Sequence, residues 1–199
     1  MTGLYGIVGG PNTGKTTTIR ILKRRGHHVL NETATPIIKE QKKIGGHVVP
    51  WENFDAFQRA VFHMQLAREI IARGNIAQGV YDKAVFSDRL YIDTHGYYAE
   101  RDLVPYEMVE HSLQDPRNRP DAIFLLQQLP PEAYILDGVR WEDDQRAIRL
   151  HACLDAAYRR AAEVTGAPLV DVPYIAQATP RKSAVARADF ILERIAQGF

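Results

Sequence analysis

One cysteine, Cys153, stands among 199 residues, so no disulfide forms within the chain and the fold must hold by packing. In its apolar surroundings that thiol reads as a small buried residue. Long hydrophobic runs are missing too: no stretch nears the ~20 apolar residues that a membrane-spanning helix requires. Charge of one sign is also lacking. The 25 Lys and Arg against 24 Asp and Glu give no electrostatic footprint for nucleic acid or a membrane surface. Met1-Thr2-Gly3 leads into an apolar run without a basic start or the long apolar segment of a secretion signal, so a soluble cytoplasmic protein is expected. No repeat, low-complexity tract or linker-like segment interrupts the chain, and its length suits one compact domain over residues 1–199.

What is present is concentrated near the start. Gly9-Gly10-Pro11-Asn12-Thr13-Gly14-Lys15-Thr16 satisfies G-x-x-x-x-G-K-[ST], preceded by the apolar Leu4-Tyr5-Gly6-Ile7-Val8 and followed by the helix-compatible Thr17-Thr18-Ile19-Arg20-Ile21-Leu22. At such a strand-to-helix turn glycines let the backbone curl, so that its N–H groups face an anion and the helix adds its positive dipole end. The spacing assigns Gly9, Pro11, Asn12, Thr13, Gly14, Lys15, Thr16 and Thr17 to a nucleoside triphosphate. Lys15 is placed to reach the outer phosphates, and the Thr16 hydroxyl to bind Mg²⁺.

Continuous apolar runs predict buried parallel strands at residues 4–8, 28–30, 84–86, 122–126 and 168–172. Helices are expected over 16–25, 53–73, 106–113, 143–164 and 184–196. In the second of these, Phe54, Phe57, Val61, Met64, Leu66 and Ile70 recur at helical spacing and predict a core-facing stripe. Strands alternating with helices imply an α/β fold, its parallel sheet wrapped on both faces and ligands held beyond the carboxyl ends of the strands.

Residues at those ends are the candidates. Glu32, after the second strand, could accept the proton of an attacking hydroxyl, or cap a helix from Pro36. Asp88, after the third, can hold Mg²⁺ or orient an acceptor, and Arg89 offers a planar fork of donors to a phosphate. The alternative is a surface Asp–Arg pair. Asp93 could cap a helix or orient Arg89. Arg140 and Arg146 lie on a segment that could close over phosphates as a lid, or pair with Glu142, Asp143 and Asp144 at a helix start. Residues 173–180 could wall a nucleotide base.

In this order the pieces resemble the small P-loop AAA-type ATPase and kinase-like family that includes the nicotinamide riboside kinase domain, relatives of deoxynucleoside and thymidylate kinases. The resemblance spans nearly the whole chain. It rests on residues 9–16, Asn31-Glu32-Thr33-Ala34, Ser87-Asp88-Arg89 with Asp93, Leu136-Asp137-Gly138-Val139-Arg140, Val172-Pro173 and Arg187-Ala188-Asp189-Phe190-Ile191-Leu192. It implies a three-layer P-loop NTPase fold with a five-stranded sheet of order 2-3-1-4-5 and a lid. It also implies ATP- and Mg²⁺-dependent transfer to a hydroxyl of a small-molecule acceptor. Lys15, Asp88, Arg89, Glu32, Arg140 and Arg146 would be catalytic, with Thr16 and Asp88 on the metal. Leu90 departs from the glycine usual after Asp-Arg and is expected to reshape the acceptor pocket. A regulatory ATPase with a macromolecular partner is the alternative. Against it, the chain has no Asn-Lys-x-Asp to read guanine, and Arg89 follows Asp88 where a water-positioning glutamate would be expected.

Overall fold

The computed structural model of the protein describes residues 2–129 and 144–199. Five strands, β1 (Leu4–Val8), β2 (His28–Leu30), β3 (Val85–Asp88), β4 (Ala122–Leu126) and β5 (Leu169–Val172), form one sheet in the order β2-β3-β1-β4-β5. Every pairing is parallel, with Ile7 opposite Asp88 on one side and Phe124 on the other. The central strands β1 and β4 are buried along their whole length, which is why they read as unbroken apolar runs.

Alternation along these strands divides the core. Tyr5 and Ile7 of β1 and Phe124 and Leu126 of β4 pack with Ile19 and Leu22 of α1 (Lys15–Arg24) and Ala188 and Ile191 of α7 (Pro180–Gln197). Val8, Ile123 and Leu125 point the other way. They meet Phe62 of α3 (Phe54–Ala77), Val109 of α5 (Glu107–Gln114), and Leu150, Leu154 and Tyr158 of α6 (Asp144–Thr165). Helices therefore cover both faces, as expected. The loop after β1 departs toward α1 on one face, and the loop after β3 toward α4 (Asp93–Ala99) on the other. Strands whose connections part in this way open a crevice at their carboxyl ends.

One helix lay unread in the sequence, α4, and α2 (Ala34–Ile44), weighed only as a helix from Pro36 that Glu32 could cap, starts two residues earlier. Two packing expectations are corrected. On α3 the buried residues are Phe57, Gln58, Phe62, Gln65, Glu69 and Ala72, while Met64 and Ile70 are exposed. The inward face is partly polar, so an apolar stripe drawn through the helix is rotated off it. Cys153 is half-buried. The segment 130–143, which holds the expected lid and Arg140, lies outside the described residues.

Candidate functional site

The loop between β1 and α1 curls because two glycines adopt positive φ, 130° at Gly9 and 78° at Gly14, and Asn12 joins them at 63°. Side chains are excluded as well: a Cβ on Gly9 would lie 2.7 Å from the Leu126 carbonyl, and one on Gly10 2.7 Å from His151 Cβ. Thr13 is buried and its hydroxyl donates to the Gly10 carbonyl at 3.0 Å. Leu129 N–H donates to the Asn12 carbonyl at 3.1 Å, tying the loop to the end of β4. Lys15 opens α1 and turns back over the loop, its Nζ donating to the Gly9 and Gly10 carbonyls at 2.5 and 2.7 Å. Thr16 and Thr17 are exposed on the first turn, whereas Thr18 is buried and bonds Gly14. The sequence motif is thus a formed cradle with its ammonium over the bend.

Asp88 ends β3 across from Ile7, beside the loop. Burial pushes its carboxyl above the ordinary range; Arg89 and Lys15 pull it back, and Glu32 and Asp93 push it up again. Five sequence-predicted or associated charges therefore sense one another at the carboxyl edge of the sheet. Arg89 takes φ 77° and aims Nη1 at Asp93 Oδ2, 3.3 Å away, and at the Tyr97 hydroxyl. Asp93 is raised by burial, against the opposing pull of Arg89, and accepts the buried Tyr158 hydroxyl. Glu32 directs its carboxylate at the start of α2, accepting from Ala34 N–H at 2.8 Å and Thr35 N–H at 3.1 Å. Arg146 Nε pairs with Glu100 at 3.0 Å, at the end of α4.

Sequence reasoning missed the braces. Gln65 Nε2 donates to Glu69, to Ser87 Oγ at 2.9 Å and to the Arg89 carbonyl at 3.2 Å; Glu69 in turn accepts Tyr91 N–H at 2.9 Å. The 4-3-4-3 spacing of residues 58, 62, 65, 69 and 72 signals that face once polar residues are counted. His151 Nδ1 accepts the Gly10 N–H at 3.1 Å, and burial holds its pKa below the ordinary value. Nothing in its local sequence announces that contact, which spans 141 residues. Leu90, expected to reshape an acceptor pocket, is buried, its amide donating to Tyr158, and its side chain packs on Gly6, where a Cβ would lie 2.5 Å from Leu90 Cδ1. It fills the core beneath β1.

The described residues fit a nucleoside triphosphate. The cradle is shaped for groups without side chains in the way. Beside it a cavity of about 50 Å³ is lined by Gly14, Thr17, Leu129, Tyr174, Ser183 and Arg187, and the Ser183 hydroxyl is buried without a hydrogen-bond partner among the described residues. An anion in the cradle, a base against Tyr174 and a hard cation near Thr16 and Asp88 match these donors in kind. No group of three His, Cys, Asp or Glu capable of holding a metal on its own occurs among the described residues. A cation at Thr16 and Asp88 would share its shell with phosphates and water, as Mg²⁺ does.

Among solved structures, thymidylate kinase from Ehrlichia chaffeensis superposes with TM-score 0.61 at 10% identity, covering 98% of each chain. Deoxyadenosine kinase from M. mycoides gives 0.51 at 13% identity, over 98% of this chain and 99% of that one. NadR protein in complex with NAD and AMP-PNP gives 0.54 at 16% identity over 95% of this chain and 49% of its own, so the chain spans about half of that protein. These likenesses establish a kinase-like P-loop fold. No curated protein matches the sequence significantly. The model of the AAA domain family AAA_28 matches residues 5–177, and the chain belongs to that family.

Proposed function

We propose that the protein is an ATP- and Mg²⁺-dependent phosphotransferase that moves the γ-phosphate to a hydroxyl of a small metabolite, with a nucleoside-like acceptor favoured. The observation that carries this reading is the joining of a curled loop capped by Lys15 with an Asp88–Arg89 pair at the neighbouring strand end. The fold likeness to a thymidylate kinase and a deoxyadenosine kinase supports the acceptor class.

Residues 9–17 and Lys15 hold the polyphosphate, and Thr16 and Asp88 would hold Mg²⁺. The ion supplies neutralisation of the charge that spreads over the phosphate oxygens as the bond breaks. Asp88 receives the acceptor's proton: burial lifts its basicity, whereas the Glu32 carboxylate is engaged by two N–H donors at the start of α2. Arg89, fixed by Asp93 and Tyr97, orients the acceptor or the transferred group. Arg140, outside the described residues, and Arg146, which pairs with Glu100 in this structure, would add positive charge over the phosphates if the segment after β4 folds across them. No described helix is long and apolar enough to cross a membrane.

A screen of ADP release with Mg²⁺-ATP over nucleosides, vitamins, sugars and amino-alcohols tests the reading. Acceptor-dependent release supports it. Hydrolysis indifferent to every metabolite but stimulated by a protein partner would replace it with a regulatory ATPase.

A further inference from the structure

Arg187 is the largest fully buried side chain, 1% exposed, yet it has no carboxylate partner among the described residues. It hydrogen-bonds three backbone carbonyls from three separate parts of the chain. Nη1 donates to Thr13 inside the phosphate loop, Nη2 to Gln127 just beyond β4 at 3.1 Å, and Nε to Pro173 just beyond β5 at 3.0 Å. The Tyr174 ring lies 5.6 Å from its Cζ, and a Cβ on Gly14 would be 3.5 Å from Nη1. Desolvation of an ion without a counter-charge is costly, and burial pushes this guanidinium down to about 10. Three neutral carbonyls offset part of that cost and leave a net positive charge beneath the loop.

We infer that Arg187 is a positioning residue for polyphosphate: it fastens the loop at Thr13 to the ends of β4 and β5 and places an uncompensated cation beneath the cradle, to be balanced by the ligand's phosphates. The inference rests on the triphosphate reading above and extends it to a helix at the far end of the sequence. A guanidinium can serve three carbonyls at once because its five N–H groups form a rigid planar fork; a lysine ammonium on its flexible stem keeps the charge without that fork. An arginine kept only for packing would have been simpler to replace with an apolar side chain.

The test uses the full chain as wild type, Arg187→Met, Arg187→Lys and Lys15→Ala. Calorimetry with Mg²⁺-AMP-PNP and with Mg²⁺-tripolyphosphate is read beside thermal unfolding and amide exchange of residues 9–16 without ligand. Arg187→Met is expected to weaken both ligands by the same factor, about tenfold or more, the scale of a lost charge-assisted interaction. Loop exchange should speed up, and Arg187→Lys should recover part of the affinity. If Arg187→Met does not fold, Arg187→Lys decides: both ligands are expected to weaken severalfold with faster loop exchange. Wild-type affinity for both ligands in the folded variants, with only the melting temperature lowered, overturns the inference. So does weakening confined to AMP-PNP, which would place Arg187 on the base side alone. Wild-type protein that binds neither ligand takes down the triphosphate reading itself. Binding that is lost in Lys15→Ala but intact in the Arg187 variants defeats only the present inference.

Discussion

The side-chain amide of Gln65 donates to the carbonyl of Arg89 at 3.2 Å, from a helix 24 residues earlier in the chain. Arg89 holds a left-handed φ of 77°, a conformation that a bulky residue keeps only when its surroundings impose it. The same nitrogen also meets Glu69 and Ser87, so one buried amide links α3, the end of β3 and the turn that aims Arg89. Gln65→Leu removes the donor and leaves the Ser87 hydroxyl short of a partner. The expected loss is ~1–3 kcal/mol in urea unfolding. Acceptor-dependent turnover should fall further than ATP affinity, because the phosphate loop is untouched. Equal losses in both would show that the brace acts only on global stability.

Glu69 makes a second, pH-dependent expectation. Burial raises its carboxyl from the ordinary 4.5 to about 7, with Arg73 and Gln65 opposing and Asp93 adding to the rise. The folded state thus holds the proton more tightly than the unfolded chain. Its contribution is whole below 4.5 and is lost as pH climbs through about 7. At ~1.4 kcal/mol per unit, the loss reaches about 3 kcal/mol. Asp88 and Asp93 are raised too and act in the same sense. Glu69→Gln should flatten the fall between pH 5 and 8 in urea titrations relative to wild type. A variant curve parallel to wild type would show that Glu69 does not titrate there.

Leu90 is a core residue by position, and its replacement tests that placement. Leu90→Ala is expected to cost ~2–5 kcal/mol, the range for a buried leucine whose cavity does not collapse. Acceptor preference, once an acceptor is found, should be unchanged in the folded fraction. A shift in preference with little loss of stability would return Leu90 to the acceptor pocket.

How far the sequence carried can be traced to particular residues. The phosphate loop and the five strands were legible because β1 and β4 are buried on both sides and the glycine pattern has one structural use, whereas the strand order came only from the family resemblance. Helix α7 begins four residues before its apolar periodicity, at Pro180, because the Thr179 hydroxyl caps it by accepting Lys182 N–H. Helix α2 starts where Glu32 bonds Ala34 and Thr35, so the carboxylate weighed as a base or a cap is seen here in the capping geometry. The hydrogen-bond partners of the inward polar face of α3, and the contacts of His151 and Arg187, were illegible, since each is brought from far along the chain. Hydrophobic periodicity cannot report a buried glutamine whose value lies in what it bonds.

Phosphate binding turns most directly on Lys15, whose Nζ lies over the Gly9 and Gly10 carbonyls. The deciding measurement is Mg²⁺-ATP-dependent ADP release by wild type and Lys15→Ala, with melting temperatures recorded on the same samples. A drop of at least about a hundredfold, the scale of removing one electrostatic stabiliser of developing charge, in a variant that melts within a few degrees of wild type is the predicted result. Full activity in a folded Lys15→Ala protein would contradict it.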